Sequence, residues 1–398
     1  ERSAPALWER TISTWIVEQG FVQGKNDPCC FYHPLRIFRL TLYVDDLKLI
    51  STKANILWLH ELLVKRFETR ELVWIEPGVT EDYLGMEISM DGHRNVFVSM
   101  QEYSLKLVQF METEMTHSVG FTAPAPFADT NHEIDETLLD RNQTVQFQKA
   151  LGCIGWLVSC IRLDLAYTYS RIAQDMSKPN KSSWDRLIHA IKYIKGTSTM
   201  AGYIPCKAKG EKPVWTCYCD SDQSSDRSAR NQGKCRYGSI VTVHGFPVHY
   251  KTQTTSVAMA QPSMGTDGNV CTSSTEAEIY GCSNAATHVM HVSYIAEELG
   301  YDFPKPFVML MDNAAAEVFC NNTASYTRLK HIDLRQQWVE LIRNAGVMVP
   351  KHIDTKLNLA DMFTKGLTGI ILQEMTGRVL TKMMPFLNKD QKDCEQSI

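Results

Sequence analysis

The sequence lacks any run of 18 or more apolar residues, and its first residues lack the charged-then-apolar order of a signal peptide. Without such segments nothing in it predicts a membrane span or secretion. Its 398 residues exceed what one hydrophobic core usually organises, which predicts two or three domains. We therefore expect a soluble, intracellular, multidomain protein. Because residue 1 is Glu rather than Met, we also expect a piece of a longer protein.

The twelve cysteines include no C-x-x-C pair and no matching histidine spacing. One group has the count for a zinc site but not the spacing of a zinc knuckle: Cys206, Cys217, Cys219 and Cys235. Free and mostly buried thiols are the prediction.

The chain has no strong excess of charge of either sign, since its formal net charge is −4. Overall charge therefore gives no sign of nucleic-acid binding. Residues 178–212 differ, with eight Lys or Arg against two acids. This stretch could be a solvated helix face or a surface that binds the phosphate backbone. The second interpretation is favoured only if neighbouring domains act on nucleic acid. The predicted contact residues are Lys178, Lys181, Arg186, Lys192 and Lys195.

Two adjacent acids, Asp45 and Asp46, interrupt the apolar stretch RIFRLTLYVDDLKLIS at 36–51. Apolar residues alternate on both sides of them, which predicts two half-buried strands joined by a tight turn. Adjacent carboxylates repel each other, so a fold keeps them in open water or around cations. A solvated turn and a metal site both fit the residues alone.

The remaining pattern predicts the order of the elements. Helices are expected over 6–19 and 53–67, from Gln101, and in a block over 143–196. A second hairpin is expected at 83–100, turning at Asp91 and Gly92, and a linker at 119–142. From Pro213 onward, strands near 214–219, 237–253 and 306–311 alternate with helices.

Four acids in this last part stand at the end of a strand or the start of a helix: Asp220, Glu276, Asp312 and Asp361. Singly, each has a plainer explanation; Glu276 could close a capping box with Ser273, and Asp312 could cap the next helix. Together they supply about the number of carboxylates that phosphodiester hydrolysis by two metal ions about 3.5–4 Å apart requires.

A series of motifs runs in order along the chain: YVDD (43–46), YLGMEI (83–88), the connecting stretch at 147–179, CYCDSD (217–222), SSTEAEIY (273–280), MDNAAA (311–316), LKHIDLR (329–335) and NLADMFTKGL (358–367). In these motifs the chain resembles the Pol polyprotein of copia-type LTR retrotransposons, from the middle of reverse transcriptase through ribonuclease H. The resemblance covers nearly the whole length.

The resemblance implies a mixed α/β fold, with α+β character, in four parts. Residues 1–118 would form a partial palm and thumb, and 119–212 a linker and helical connection. Residues 213–370 would form a ribonuclease H-like mixed five-stranded sheet with flanking helices, and 371–398 a tail.

The resemblance also implies chemistry for the four acids. Asp220, Glu276, Asp312 and Asp361 would hold two Mg²⁺ ions, replaceable by Mn²⁺, that cleave the RNA strand of an RNA–DNA hybrid. His352 would move protons, although an ordinary surface histidine fits it equally well. The implied partners are the hybrid and a template–primer, with no membrane. The implied location is a cytoplasmic virus-like particle, the nucleus, or both.

By the same resemblance, Asp45 and Asp46 would bind polymerase metal ions, but the family's upstream D-V-x-x-A-F motif has no counterpart here. The acids before Asp45 are Glu1, Glu9, Glu18 and Asp27, and none has a strand-like apolar context. We therefore expect no DNA synthesis by this chain alone. The missing polymerase portion or a second Pol chain is the expected partner.

Two other functions stay open. One is a catalytically silent remnant of a mobile element that only binds nucleic acid. The other is an integrase-like recombinase, which shares the arrangement of metal-binding acids, although the LKHIDLR and NLADMFTK motifs argue against it. An unusually long stretch, 257–270, precedes the helix of Glu276 and could affect that acid.

Overall fold

The computed structural model describes residues 4–113, 119–127, 135–208, 210–223, 235–254, 274–301, 303–321 and 333–383. The long stretch at 257–270 and most of the LKHIDLR motif lie outside these residues. The chain divides into two compact units. The first unit is Glu1–Trp74 with His288–Pro304, and the second is Ile75–Thr287 with Lys305–Ile398.

The described part contains helices and strands in the following order. The helices are α1 Ala4–Glu18, α2 Lys53–Arg66, α3 Gln101–Thr113, α4 Arg141–Cys160, α5 Ala166–Ala173, α6 Lys181–Gly196, α7 Ser274–Glu298, α8 Ala314–Asn321, α9 Asp333–Asn344, α10 Asp361–Thr364 and α11 Gly369–Thr376. The strands are β1 Val22–Gln23, β2 Cys30–His33, β3 Phe38–Tyr43, β4 Asp46–Ser51, β5 Thr80–Tyr83, β6 Met86–Met90, β7 Val96–Ser99, β8 Met200–Ile204, β9 Trp215–Gln223, β10 Cys235–Val243, β11 Phe246–Thr254, β12 Phe307–Met311, β13 Met348–His352 and β14 Leu380–Lys382.

The first unit is a four-stranded antiparallel sheet, in the order β1-β2-β3-β4, with α1 and α2. Its core contains fully buried Ile16, Phe31, Phe38 and Leu59. Thr52 caps α2 because its side chain accepts a hydrogen bond from the Asn55 backbone N–H. The alternating apolar pattern at 36–51 therefore forms the predicted hairpin of β3 and β4.

The second unit contains an antiparallel sheet in the order β14-β8-β7-β6-β5. The hairpin of β6 and β7 is the one predicted at 83–100. The Asp91 carboxylate accepts hydrogen bonds from the backbone N–H groups of His93 and Asn95 and so stabilises its turn. β8 and β14 are distant in sequence from this hairpin, and their pairing builds the sheet from three of the four predicted parts of the chain.

Helices α4 to α6 form the helical block predicted over 143–196, and α3 is the helix predicted from Gln101. Their apolar faces meet in a core that includes fully buried Phe147, Ile154 and Leu187. A buried ion pair lies beside this core, where Arg162 donates to Asp164 from Nε at 3.0 Å and from Nη2 at 2.8 Å. Two hydrogen bonds in parallel compensate the loss of water around both charges.

The second unit also contains a mixed five-stranded sheet in the order β11-β10-β9-β12-β13. β9, β10 and β11 pair antiparallel, whereas β12 pairs in parallel with both β9 and β13. This sheet confirms the mixed five-stranded arrangement predicted for the C-terminal part. β9 lies at the centre of this sheet, between β10 and β12.

The cysteines agree with the sequence prediction. Cys217 and Cys219 are buried free thiols, Cys206 is an exposed one, and Cys235 is buried. Within the described ranges no cysteine takes part in a group of three or more side chains that could hold a metal ion. Over the same ranges, no helix combines the length and apolar character needed to cross a bilayer.

Candidate metal centre

The carboxylates of Asp220, Glu278 and Asp312 converge at the mixed five-stranded sheet. Asp220 lies on the central strand β9, Asp312 directly follows the neighbouring parallel strand β12, and Glu278 lies in the second turn of α7. One oxygen from each of the three side chains lies within 4.8 Å of the other two. Three separate elements thus present acids to one point.

Close packing of α7 on β9 brings Glu278 to this point. Gly281 lies one turn after Glu278, and a Cβ there would lie 3.3 Å from the backbone oxygen of Asp220. The absence of a side chain at Gly281 therefore lets the helix approach the strand, and residues three apart share that face of the helix. Glu278 Oε1 accepts a hydrogen bond from the Ser221 backbone N–H at 3.3 Å.

The electrostatics of the three acids favour a bound cation. Burial, and then the nearby Asp220 and Asp312, raise the pKa of Glu278 to about 9. Burial also raises the pKa of Asp220. Carboxylates brought together away from water resist ionisation unless positive charge is close. Among the described residues, Glu278 Oε2 is buried without a hydrogen-bond partner, which leaves one oxygen available as a ligand.

Asp361 approaches the same place from α10. The segment before it is attached to β9, because buried Asn358 donates from Nδ2 to the Cys219 backbone oxygen at 3.1 Å. The Thr364 hydroxyl, at the end of α10, donates to the Asp220 carboxylate. Burial, and then Asp220, raise the pKa of Asp361 to about 7. The structure therefore places Asp361 beside Asp220, outside the group of three that Asp220 forms with Glu278 and Asp312.

Glu276 was predicted as the helix ligand, but the group contains Glu278 instead. Both side chains are buried, at 4% and 5% exposure. Successive residues of a helix turn by about 100°, so side chains two positions apart point in very different directions. We therefore assign the helix carboxylate of the site to Glu278. The sequence signal that could have identified it is Gly281, which marks the helix face that packs closely on another element.

His352 is the last residue of β13 and is exposed. It pairs in register with Met311, the residue before Asp312. Its position next to the strand that carries Asp312 is compatible with the predicted proton transfer, which stays a prediction.

Asp45 and Asp46 lie in the first unit, at the turn between β3 and β4, and both are exposed. Val44 adopts a φ of 55°, which a β-branched residue rarely does, and its carbonyl accepts a hydrogen bond from Trp8 Nε1 at 2.8 Å. Across the described residues, groups of three or more potential metal ligands do not include either aspartate. The pair is therefore presented to solvent, a point that the residues alone left open.

The predicted nucleic-acid contacts divide into two kinds. Lys178 and Lys181 are exposed, whereas Arg186, Lys192 and Lys195 are half-buried. Lys195 forms an ion pair with Glu112 at 3.0 Å. The exposed lysines are therefore the better candidates for phosphate contacts.

The second unit thus combines a mixed five-stranded sheet with a group of acids at its central strand. No protein-family model matches the chain. The Retrovirus-related Pol polyprotein from transposon TNT 1-94 of Nicotiana tabacum is 24% identical over 372 residues, which cover 92% of this chain and 26% of that protein. The one from transposon RE2 of Arabidopsis thaliana is 25% identical, covering 95% of this chain and 24% of that protein.

The Transposon Ty1-JR2 Gag-Pol polyprotein of Saccharomyces cerevisiae is 23% identical, covering 92% of this chain and 20% of that protein. The homologues of this chain are thus Pol polyproteins of copia-type retrotransposons. The chain spans about a quarter of the length of the first two relatives.

Two solved structures are also similar. The foamy viral protease-reverse transcriptase in complex with dsDNA has a TM-score of 0.42 at 12% identity, covering 89% of this chain and 59% of that chain. An N-terminal RNase H domain from Mycobacterium tuberculosis has a TM-score of 0.26 at 13% identity, covering 42% of this chain and 96% of that chain. Similarities this low do not assign a function.

Proposed function

We propose that the chain is a reverse transcriptase and ribonuclease H segment of a retrotransposon Pol polyprotein, and that its second unit hydrolyses the RNA strand of RNA–DNA hybrids. The observation that carries this proposal is the convergence of Asp220, Glu278 and Asp312 within 4.8 Å, from three separate elements. The names of the relatives support the family context.

The residues present fit divalent cations. All four acids offer carboxylate oxygens, the ligands that Mg²⁺ and Mn²⁺ prefer, and the buried Glu278 Oε2 lacks a hydrogen-bond partner in the described part of the chain. Asp220, Glu278, Asp312 and Asp361 would hold the ions. When bound, two such ions lower the pKa of an attacking water and stabilise charge on the leaving oxygen.

The chain's own groups have distinct parts in this proposal. Asp220 is the central ligand of the site, because it lies close to Glu278 and Asp312 and also accepts a hydrogen bond from the Thr364 hydroxyl. That hydroxyl fixes the orientation of the Asp220 carboxylate before substrate arrives. His352, exposed at the end of β13, would move protons between the site and solvent.

The first unit has an incomplete polymerase site in this proposal. Asp45 and Asp46 would bind metal ions once a third acid is supplied by another polymerase segment or a second Pol chain. The chain alone would therefore not extend a primer. The proposed partners are an RNA–DNA hybrid and a template–primer, and the proposed location is a cytoplasmic virus-like particle, the nucleus, or both.

The test incubates the purified chain with three labelled substrates: an RNA–DNA hybrid labelled on its RNA strand, duplex RNA and duplex DNA. We expect cleavage of the hybrid RNA alone, with Mg²⁺ or Mn²⁺, and loss of cleavage in chelator and in Asp312→Asn. If the chain binds the hybrid but cleaves it under none of these conditions, the nuclease proposal is overturned and a catalytically silent, nucleic-acid-binding remnant is favoured. Joining of DNA strands would favour a recombinase.

A further inference from the structure

The Lys365 side chain extends into the group of acids. Its ammonium Nζ lies 2.7 Å from Asp361 Oδ1, four residues earlier, and 3.4 Å from the Asp220 carboxylate. The Asp220 and Asp361 side chains are only 2% and 7% exposed, whereas Lys365 is 37% exposed. A positive charge thus lies between two buried acids on a side chain that is itself partly exposed to solvent.

The acids fall into two sets that share Asp220. On one side, Asp220 is grouped with Glu278 and Asp312 within 4.8 Å. On the other, Asp220 and Asp361 are bridged by Lys365. On the first side, two acids accompany Asp220, and the Glu278 Oε2 oxygen has no hydrogen-bond partner among the described residues. On the second side, the Lys365 ammonium supplies the positive charge.

An ordinary surface ion pair is a poor description of this bridge. Such pairs join two solvated side chains and contribute little to stability. Here both carboxylates are more than nine-tenths buried, and each is repelled by the other, so removing the ammonium would leave buried like charges uncompensated. The Lys365 ammonium therefore compensates the negative charge of Asp220 and Asp361, as a divalent ion bound there would.

We propose that Lys365 is an internal counter-cation, which holds Asp220 and Asp361 together while their side of the site lacks a divalent ion and moves out when an ion binds there. Lys365 acts through the two acids and is a positioning residue. Because the Lys365 side chain is long and partly exposed, the ammonium can move into solvent without rearrangement of α10. This inference rests on the proposed metal-dependent function.

The experiment is calorimetric titration of the full chain with Mn²⁺, without nucleic acid, for wild type, Lys365→Met and Lys356→Met. Methionine keeps the length and apolar stem but removes the charge. Lys356 is an exposed lysine near the same end of the chain and serves as the control. We expect Lys365→Met to tighten Mn²⁺ binding by roughly tenfold, the factor that about 1.4 kcal/mol corresponds to. Lys356→Met should match wild type.

Thermal unfolding of the same proteins gives a second readout. In chelator, Lys365→Met should melt at a lower temperature than wild type, and saturating Mn²⁺ should remove most of that difference. Unchanged or weakened Mn²⁺ binding in Lys365→Met would overturn the counter-cation proposal alone. If Asp312→Asn binds Mn²⁺ as tightly as wild type, the proposed metal centre fails instead, and if neither wild type nor Lys365→Met binds Mn²⁺, both proposals fail.

Discussion

Gly238 pairs directly with Asp220 across the antiparallel strands β10 and β9. A Cβ at Gly238 would lie 2.7 Å from Phe363 Cβ and 2.9 Å from the Ala360 backbone oxygen. These atoms belong to α10 and the residue before it, so the missing side chain is what lets α10 rest on the sheet. Asp361 lies between those two contacts, and its position therefore depends on Gly238.

We expect Gly238→Ala to displace α10 and to impair the site. Overpacking of this kind costs about 1–3 kcal/mol of stability, and misplacement of a catalytic group by about 1 Å can reduce a rate by up to about 10²-fold. Hybrid cleavage and thermal unfolding measure the two effects. Gly152→Ala in α4 is the matched control, because a Cβ there meets nothing within 4 Å. Equal activity in both variants would contradict the role of Gly238.

The assignment of Glu278 over Glu276 gives a second prediction. Glu278→Gln should lose at least about a hundredfold in metal-dependent cleavage, equivalent to about 2.7 kcal/mol of transition-state stabilisation, and should weaken Mn²⁺ binding. Glu276→Gln changes an equally buried acid of the same helix and should retain both properties. Calorimetry and cleavage assays on the two variants decide the assignment. The reverse pattern would restore Glu276 as the ligand.

Local patterns in the sequence predicted the hairpins and helices, because alternation and helical spacing reflect which side of each element is buried. The same logic could not separate Glu276 from Glu278, since both occupy the first turns of one helix. Only the packing of Gly281 on β9 selects Glu278.

Long-range pairing was likewise not readable from the sequence. Nothing near β8 or β14 indicates that they join the sheet of β6 and β7. The Lys365 bridge to Asp220 joins residues 145 positions apart and depends on the same tertiary packing.

His189 provides a pH-dependent test of the second unit. Its Nε2 lies 2.9 Å from the Ala125 backbone oxygen, and burial lowers the pKa of His189 below its ordinary 6.5. The unfolded chain therefore binds a proton at a pH where the folded chain does not, so stability is lost as pH falls below 6.5 towards the folded-state pKa. Melting temperatures between pH 7.5 and about 5 should fall less steeply in His189→Gln. An unchanged slope would contradict this reasoning.

The exposed lysines of 178–212 give a prediction about nucleic-acid binding. Replacing Lys178 and Lys181 by alanine should weaken binding of an RNA–DNA hybrid and make its salt dependence shallower, by about 0.7–0.9 in logarithmic slope for each lost phosphate contact. Fluorescence anisotropy over a series of salt concentrations measures this slope. Lys106→Ala/Lys356→Ala removes the same charge elsewhere and should leave the slope close to that of wild type. Equal slopes in the two double variants would exclude the predicted contacts.

The two acidic sites of the chain should be separable in function. Asp45 and Asp46 are exposed at a hairpin turn in the first unit, whereas Asp220, Glu278, Asp312 and Asp361 belong to the second. Two carboxylates in open water hold a divalent ion weakly, because solvent screens their charge and a third ligand from the protein is needed to fix the ion. We therefore expect the purified chain to give no primer extension with Mg²⁺.

The double variant Asp45→Asn/Asp46→Asn completes that argument. Since it leaves the second unit untouched, hybrid cleavage should continue at the wild-type rate, while Asp312→Asn should abolish it. Primer extension by wild type that disappears in the double variant would show that the hairpin binds catalytic ions without an upstream acid. That result would contradict the incomplete polymerase site without affecting the nuclease, because the two assays depend on different carboxylates.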